Sequence, residues 1–353
     1  MAGLGFSFKR ITNNQYLIDN KRVDLVNQTS VEPPMVSVTM ITYNHERYIS
    51  QAIEGVMMQK TNFSIKLIIG EDCSTDTTRE IVSQYQIQYP NKIILKLPEL
   101  NLGVNINSLS NKLLCTGKYI AECEGDDYWT DPYKLQKQVD FLEGNSDYVL
   151  SFHPIRILEA TGKLANDYLT FVPEKHESLE IIAERGNFIQ TPSVVFRNCL
   201  NQLPKEILLS PAGDYFLYMI LAQYGKISQL NETMAIYRHH SGIWSTQSKI
   251  KRNAQFCLTL LLLRLYFSEK NPNIALILEK RATQIFRDIA VYLSAEDLKS
   301  FRVNNEINIF IDKLIINTIQ EYDSDRIIKS KSQKLIKIIF QRIINRITKK
   351  IQN

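Results

Sequence analysis

The sequence predicts an α/β fold: a mostly parallel sheet flanked by helices, followed by a helical C-terminal extension. Three observations predict it. Short apolar, β-branched runs alternate with stretches of helical periodicity between residues 36 and 121. Three of those runs end in polar clusters, at residues 42–46, 70–76 and 122–127. From about residue 250 the strand-like runs stop and helical spacing takes over.

Residues 36–42 read as a buried parallel strand, apolar and β-branched. Tyr43, Asn44, His45 and Glu46 form a polar turn, and residues 47–59 carry Ile49, Ile53, Val56 and Met57 on one helical face. A second strand at 65–69 runs into Gly70, Glu71, Asp72 and Cys73. Ser74, Thr75 or Asp76 then offers an N-cap for a helix over 77–89. Residues 93–97 make a third strand, 101–105 a loop and 105–114 a helix, and 118–121 a fourth strand-like run. Such alternation builds a parallel sheet with right-handed crossovers, and ligands of such sheets bind beyond the carboxyl ends of the strands.

The acidic run after the last of these strands carries the chemistry. Glu124, Asp126 and Asp127 fall within four residues. Like charges crowded at the end of a buried strand repel one another unless a cation joins them. A hard divalent ion suits this site, because Mg²⁺ takes one or two carboxylates plus the phosphates of a substrate. The alternative is a solvated acidic turn ahead of a helix.

Residues 36–130 resemble the nucleotide-sugar half of a family 2 glycosyltransferase of the GT-A fold, bacterial surface-polysaccharide type. The matching pieces are Val-Ser-Val-Thr-Met-Ile-Thr-Tyr-Asn at 36–44, Gly-Glu-Asp-Cys-Ser-Thr-Asp-Thr-Thr-Arg-Glu at 70–80, Asn-Leu-Gly at 101–103 and Glu-Gly-Asp-Asp-Tyr-Trp-Thr-Asp-Pro at 124–132. A weaker likeness continues to about residue 248, through the segments around Asp214 and Arg238. Several ordered motifs at family-like separations are more specific than one short pattern. The resemblance divides the chain into an N-terminal extension (1–35), a GT-A domain (36–248) and a helical C-terminal region (249–353). Residues 36–130 form the nucleotide-sugar half of the domain and 131–248 the acceptor half.

The resemblance implies inverting, metal-assisted transfer of a sugar from a nucleoside-diphosphate sugar, a UDP-sugar by preference, to a hydroxyl of a glycan or lipid-linked acceptor. Asp72 is implied to hydrogen-bond the base, with Thr42, Tyr43 and Glu46 lining the nucleoside pocket. Glu124 and Asp126 occupy the two acidic positions of the family's Asp-x-Asp motif and would hold Mg²⁺ or Mn²⁺. Glu124 stands where many members have Asp. Asp126 is the preferred direct ligand, and Asp127 supports the turn or anchors a helix. Asp214 is the implied general base, and it also reads as the N-cap of an apolar helix starting at Tyr215. Arg238 and His240 match a segment that would contact the diphosphate or the metal. A second class of function stays open: an inactive relative that binds nucleotide-sugar or tethers a synthesis complex.

Composition sets further bounds. The chain has 353 residues, a net charge of +5 and 44% hydrophobic residues, enough for one large domain and an appendage. Five scattered cysteines without metal-ligand spacing read as reduced thiols of a cytoplasmic protein. No signal-peptide pattern opens the chain, and no apolar run reaches membrane-spanning length. From Arg326 onward there are nine Lys or Arg and no Asp or Glu, beside an isoleucine-rich stripe at helical spacing. A basic amphipathic helix of this kind predicts peripheral contact with an anionic membrane surface, here the inner face of the cell membrane. A helix packed on its own protein or in a homo-oligomer is the alternative. Nucleic acid is not an expected partner, because the basic residues lack interleaved aromatics and no recognition module is visible.

Overall fold

The computed structural model describes residues 8–12, 15–18, 21–26, 32–200, 203–239, 242 and 245–289. The first unit comprises residues 1–208 and 213–246; the second comprises 209–212 and 247–353.

In the first unit, strands β1 (Phe8–Thr12), β2 (Gln15–Ile18) and β3 (Lys21–Val26) form an antiparallel meander. The α/β core follows: β4 (Val36–Thr42), α1 (Ile49–Met57), β5 (Ile65–Glu71), α2 (Thr78–Gln88), β6 (Ile93–Pro98), α3 (Val104–Leu113) and β7 (Tyr119–Glu122). Beyond it lie β8 (Tyr128–Trp129), α4 (Lys134–Gly144), β9 (Tyr148–Phe152), β10 (Ile155–Leu158), β11 (Leu164–Asn166) and α5 (Leu179–Arg185). The unit closes with β12 (Val195–Arg197), α6 (Gly213–Leu221), β13 (Lys226–Gln229) and β14 (Ala235–Arg238).

Ten strands make one sheet in the order β1-β2-β3-β6-β5-β4-β7-β12-β9-β13, and a smaller sheet has the order β11-β10-β14-β8. The centre is parallel: β4 pairs with both β5 and β7, and β5 with β6. From β4 the chain winds out through β5 to β6, then returns to lay β7 on the opposite side of β4. The order therefore reverses between β4 and β7, which opens a crevice beyond their carboxyl ends. Thr42 ends β4 and the acidic run follows β7, so both line that crevice.

The central strands are buried on both faces, which explains their unbroken apolar runs. Val36, Val38, Met40, Leu67, Ile69 and Tyr119 are fully buried, and Ile49, Ile53 and Val56 of α1 pack into the same core. Each such side chain contributes roughly 1.5–3 kcal/mol by leaving water. Strands β1–β3 add to this sheet, with β3 pairing antiparallel with the outer edge of β6. Helix α2 starts at Thr78 with Thr77 at the N-cap position and no side-chain cap bond, so none of the three expected residues caps it; Asp76 Oδ1 accepts from Thr78 N at 2.9 Å in the turn just ahead. Ser74 and Thr75 instead bind Asn44, Ser74 through its Oγ and Thr75 through its amide and hydroxyl.

The second unit, as far as it is described, contains the helix pair α7 (Lys249–Phe267) and α8 (Pro272–Ile289). Asn271 Oδ1 accepts from Ile274 N, and Pro272 takes the first helical position, where it sacrifices no hydrogen bond. Leu260–Leu263 are buried, and Arg264 pairs with Glu279 at 3.0 Å. Among the described residues no helix is long and apolar enough to cross a membrane. The basic segment from Arg326 lies outside the described residues.

Candidate active site

The acidic turn is shaped by its neighbour strand. Cys123 N donates to Thr39 O and Gly125 N to Ile41 O, so the chain leaving β7 runs on beside β4. Gly125 is required by close approach: a Cβ there would lie 2.7 Å from Thr42 Oγ1 and 3.0 Å from His45 Nδ1. The turn brings Glu124, Asp126 and Asp127 together, with one carboxylate oxygen of each within 4.8 Å of the others. Glu124 is half-buried, Asp126 is 4% exposed and Asp127 is fully buried. Burial pushes the Glu124 carboxyl up to about 8, helped by the nearby charges of Asp126, Asp214 and Glu122. Burial, then Asp126 and Glu124, raise Asp127 well above the usual carboxylate range.

Such a cluster is costly as it stands. Asp127 Oδ2, Thr42 Oγ1 and His45 Nδ1 are buried with no hydrogen-bond partner among the described residues. A buried polar group left unpaired costs about 1–3 kcal/mol. The oxygen-rich donor set fits Mg²⁺ or Mn²⁺, and the orphaned atoms fit a bound group at this turn.

Arg238, at the end of β14, braces the turn from behind. Its amide donates to Asp127 Oδ1 at 2.9 Å, its Nη1 donates to Asp126 O, and its Nη2 donates to Gln51 Oε1. The guanidinium lies 4.8 Å from the Tyr48 ring centroid and 4.6 Å from that of Tyr128. Arg238 is 4% exposed. Gln51, Tyr48 and Tyr128 were not singled out by sequence reasoning, and no local pattern marks them. Trp129 is wall packing: its Nε1 donates to Pro192 O at 2.8 Å, and the Lys134 ammonium sits 4.2 Å from its ring. His240 and Trp244 lie outside the described residues.

The end of β5 forms the second part of the site. Asp72 is 3% exposed, and its Oδ1 and Oδ2 accept from Leu102 N at 2.7 Å and Gly103 N at 2.9 Å. Asn101 Nδ2 returns a bond to Asp72 O. Gly103, with φ of +80°, supplies the left-handed backbone this loop needs. Burial raises the Asp72 carboxyl, against the pull of the two amides and of Lys96. Lys96 is fully buried, donates to Asn107 O and Ser110 Oγ, and is pulled down to about 7 by that burial. Glu46 joins β4's turn to α2, with Oε2 accepting from Thr77 N and its own amide donating to Asp76 Oδ2. Tyr43 is 41% exposed beside them.

Asp214 supplies the third part. It is the second residue of α6, inside the first helical turn rather than at the cap. Its Oδ2 accepts from Asn187 Nδ2 at 2.8 Å. Burial raises its carboxyl, and Glu122 adds to the effect. Glu122 ends β7, pairs with Lys112 at 2.6 Å and accepts from Tyr218 Oη at 3.4 Å. Asn187 had no sequence signal. Glu122 was at hand as the first residue of the acidic run.

Comparison with known proteins identifies the family. The family model described as Glycosyl transferase family 2 matches residues 37–203. The uncharacterized glycosyltransferase MJ1057 of Methanocaldococcus jannaschii is 32% identical over 213 residues, covering 59% of this chain and 72% of that one. The chain belongs to the family 2 glycosyltransferases. The uncharacterized protein Rv1520 of Mycobacterium tuberculosis is 38% identical to this glycosyltransferase-family chain over 212 residues, 59% of it. The match spans 60% of that relative's length. Among solved structures, TarS residues 1–349 of S. aureus in complex with UDP-GlcNAc superposes with a TM-score of 0.52 at 19% identity. That match covers 81% of this chain and 80% of the other. This likeness gives the family 2 chain a GT-A-like fold, in agreement with its sheet order.

Proposed function

We propose that this family 2 glycosyltransferase moves a sugar from a nucleoside-diphosphate sugar to a hydroxyl of a glycan or lipid-linked acceptor, inverting the anomeric carbon. The carrying observation is the convergence of Glu124, Asp126 and Asp127 within 4.8 Å, close enough to Asp214 for its charge to act on Glu124. Uridine is the favoured base, since the structurally similar TarS is described with UDP-GlcNAc.

In this reading Asp126 and Glu124 hold Mg²⁺ or Mn²⁺, and Asp127, fixed by the Arg238 amide, completes the acidic wall. The bound cation supplies charge neutralisation for the departing nucleoside diphosphate. Asp72, the 101–103 loop, Thr42, Tyr43 and the braced Glu46 turn receive the nucleoside. Asp214 accepts the proton of the acceptor hydroxyl as that oxygen attacks, and Asn187 holds its carboxylate in place. A carboxylate base opposite the leaving group makes the reaction a single displacement, hence inversion. Arg238 acts through the turn it braces, and His240 remains a diphosphate contact in this proposal. The basic segment 326–353 supports peripheral attachment to the cytoplasmic membrane face, where each Lys or Arg near an anionic surface adds about 1 kcal/mol.

The test is turnover of the full chain with a panel of UDP-sugars and Mn²⁺, wild type against Asp214→Asn. Nucleotide-sugar consumption by wild type, with Asp214→Asn binding the donor but failing to transfer, supports the reading. Near-normal transfer by Asp214→Asn removes Asp214 as the base.

A further inference from the structure

Strand β7 reads Tyr-Ile-Ala-Glu, and its first three residues are buried and hydrophobic. Glu122 breaks that pattern at 5% exposed, where an apolar side chain would pack without the cost of burying a charge. Its carboxylate is held from two sides. Lys112 Nζ, in the last turn of α3, lies 2.6 Å from Oε1 and also donates to Ser108 Oγ at 2.7 Å. Tyr218 Oη, fully buried on α6, donates to Oε2 at 3.4 Å.

The two elements joined in this way carry the reacting groups. Cys123 N and Gly125 N continue the ladder beside β4, so side chains keep alternating and Glu122 and Glu124 share a face. Tyr218 follows Asp214 by four residues on α6, about one helical turn, so these two share a face as well. One carboxylate thus links the strand that leads to Glu124 with the helix that carries Asp214.

We propose that Glu122 is a positioning residue, fixed by Lys112 and acting through Tyr218 to set the separation of Asp214 from the acidic turn. The proposal rests on the transferase reading for the roles of Asp214 and of the turn. Its contacts stand without that reading.

The placement of Glu122 works against stability. Behind the effect of burial, its charge raises the Asp214 carboxyl, and behind burial, Asp126 and Asp214 it raises that of Glu124. A further buried carboxylate beside two others is costly, and an apolar pair of the same volume would often be as stable or more so. The reaction gives the costly arrangement a purpose. The acceptor oxygen must attack on the line opposite the departing diphosphate, so the base and the turn that holds the diphosphate must stand a fixed distance apart. A misplacement of about 1 Å in such a site costs about a hundredfold in rate.

The experiment compares full-chain variants. Tyr218→Phe removes one hydroxyl and keeps the ring. Lys112→Met combined with Glu122→Leu replaces the buried pair by apolar side chains, so that neither charge is left alone. Lys112→Arg keeps the cation. All three should retain the wild-type unfolding temperature, and Tyr218→Phe should bind UDP in Mn²⁺ as wild type does. The turnover-free readout is the relaxation that bound Mn²⁺ induces, with UDP present, at the 13C-labelled carboxyl of Asp214, assigned by its loss in Asp214→Asn. That relaxation reports the distance from the ion to the base, and it should change in Tyr218→Phe and in the double variant while Lys112→Arg matches wild type. With the UDP-sugar panel, kcat should fall at least tenfold in Tyr218→Phe and further in the double variant, at unchanged donor KM in Tyr218→Phe. An unmoved Asp214 in both variants, or full kcat in the folded double variant, overturns the proposal and leaves the transferase reading standing. A wild type that binds no UDP in Mn²⁺ overturns the transferase reading and this proposal with it.

Discussion

Asn187 Nδ2 donates to Asp214 Oδ2 across 2.8 Å, tying the candidate base to the segment that follows α5. The contact opposes the burial and the Glu122 charge that raise the Asp214 carboxyl. A base must be ionised to work, so activity falls as pH drops through its pKa. Asn187→Ala removes a stabiliser of the ionised form and should move that fall to higher pH. We expect kcat to drop about ten- to a hundredfold at neutral pH with little change in donor KM. A pH–rate profile checks it; an unshifted acid limb would show that Asn187 serves packing alone.

Gly125→Ala should cripple the site without unfolding the domain. The new Cβ meets Thr42 Oγ1 at 2.7 Å, so the turn carrying Glu124 and Asp126 must move. Overpacking of this kind costs about 1–3 kcal/mol. Calorimetric unfolding should register that modest loss, while Mn²⁺ affinity should fall at least tenfold. Unchanged Mn²⁺ affinity would mean that the turn's placement is not what holds the ion.

Asp72→Ala should loosen the 101–103 loop. It strips the acceptor from two backbone amides, at about 1–3 kcal/mol for each that finds no other partner. Hydrogen exchange at Leu102 and Gly103 should accelerate, and UDP should bind at least tenfold more weakly. Faster exchange with unchanged UDP affinity would separate the loop from the nucleoside pocket.

What was legible in the sequence followed from burial. Strands β4 and β5 announce themselves because a strand covered on both faces needs an unbroken apolar run, and Thr42, Asp72 and the 124–127 turn are then located by lying at strand ends. The short, partly polar strands β1–β3 carried no such signal, although they extend the same sheet. Lys96 reads as an interruption of an apolar strand, yet its ammonium is buried against the carbonyl and hydroxyl of α3. Gln51 and Arg238 touch across 187 positions, and Asn187 reaches Asp214 across 27. Contacts made by folding between remote polar residues leave no periodicity to read.

Removing residues 326–353 should release the protein from anionic liposomes while sparing donor binding. The segment's nine basic residues and absence of acidic ones motivate this. Flotation of the full chain should weaken as salt rises, since exposed charges are screened. Equal flotation of both forms would make that segment a protein-packing element.

The central claim is that the turn of Glu124, Asp126 and Asp127 joins a divalent cation to a nucleoside diphosphate. Calorimetric titration of UDP into the full chain tests it most directly. Wild type in Mn²⁺ should bind UDP, and affinity should fall at least tenfold in excess chelator and again, with Mn²⁺ present, in Asp126→Ala. Equal UDP affinity with Mn²⁺ and with chelator, or in wild type and Asp126→Ala, would contradict the account.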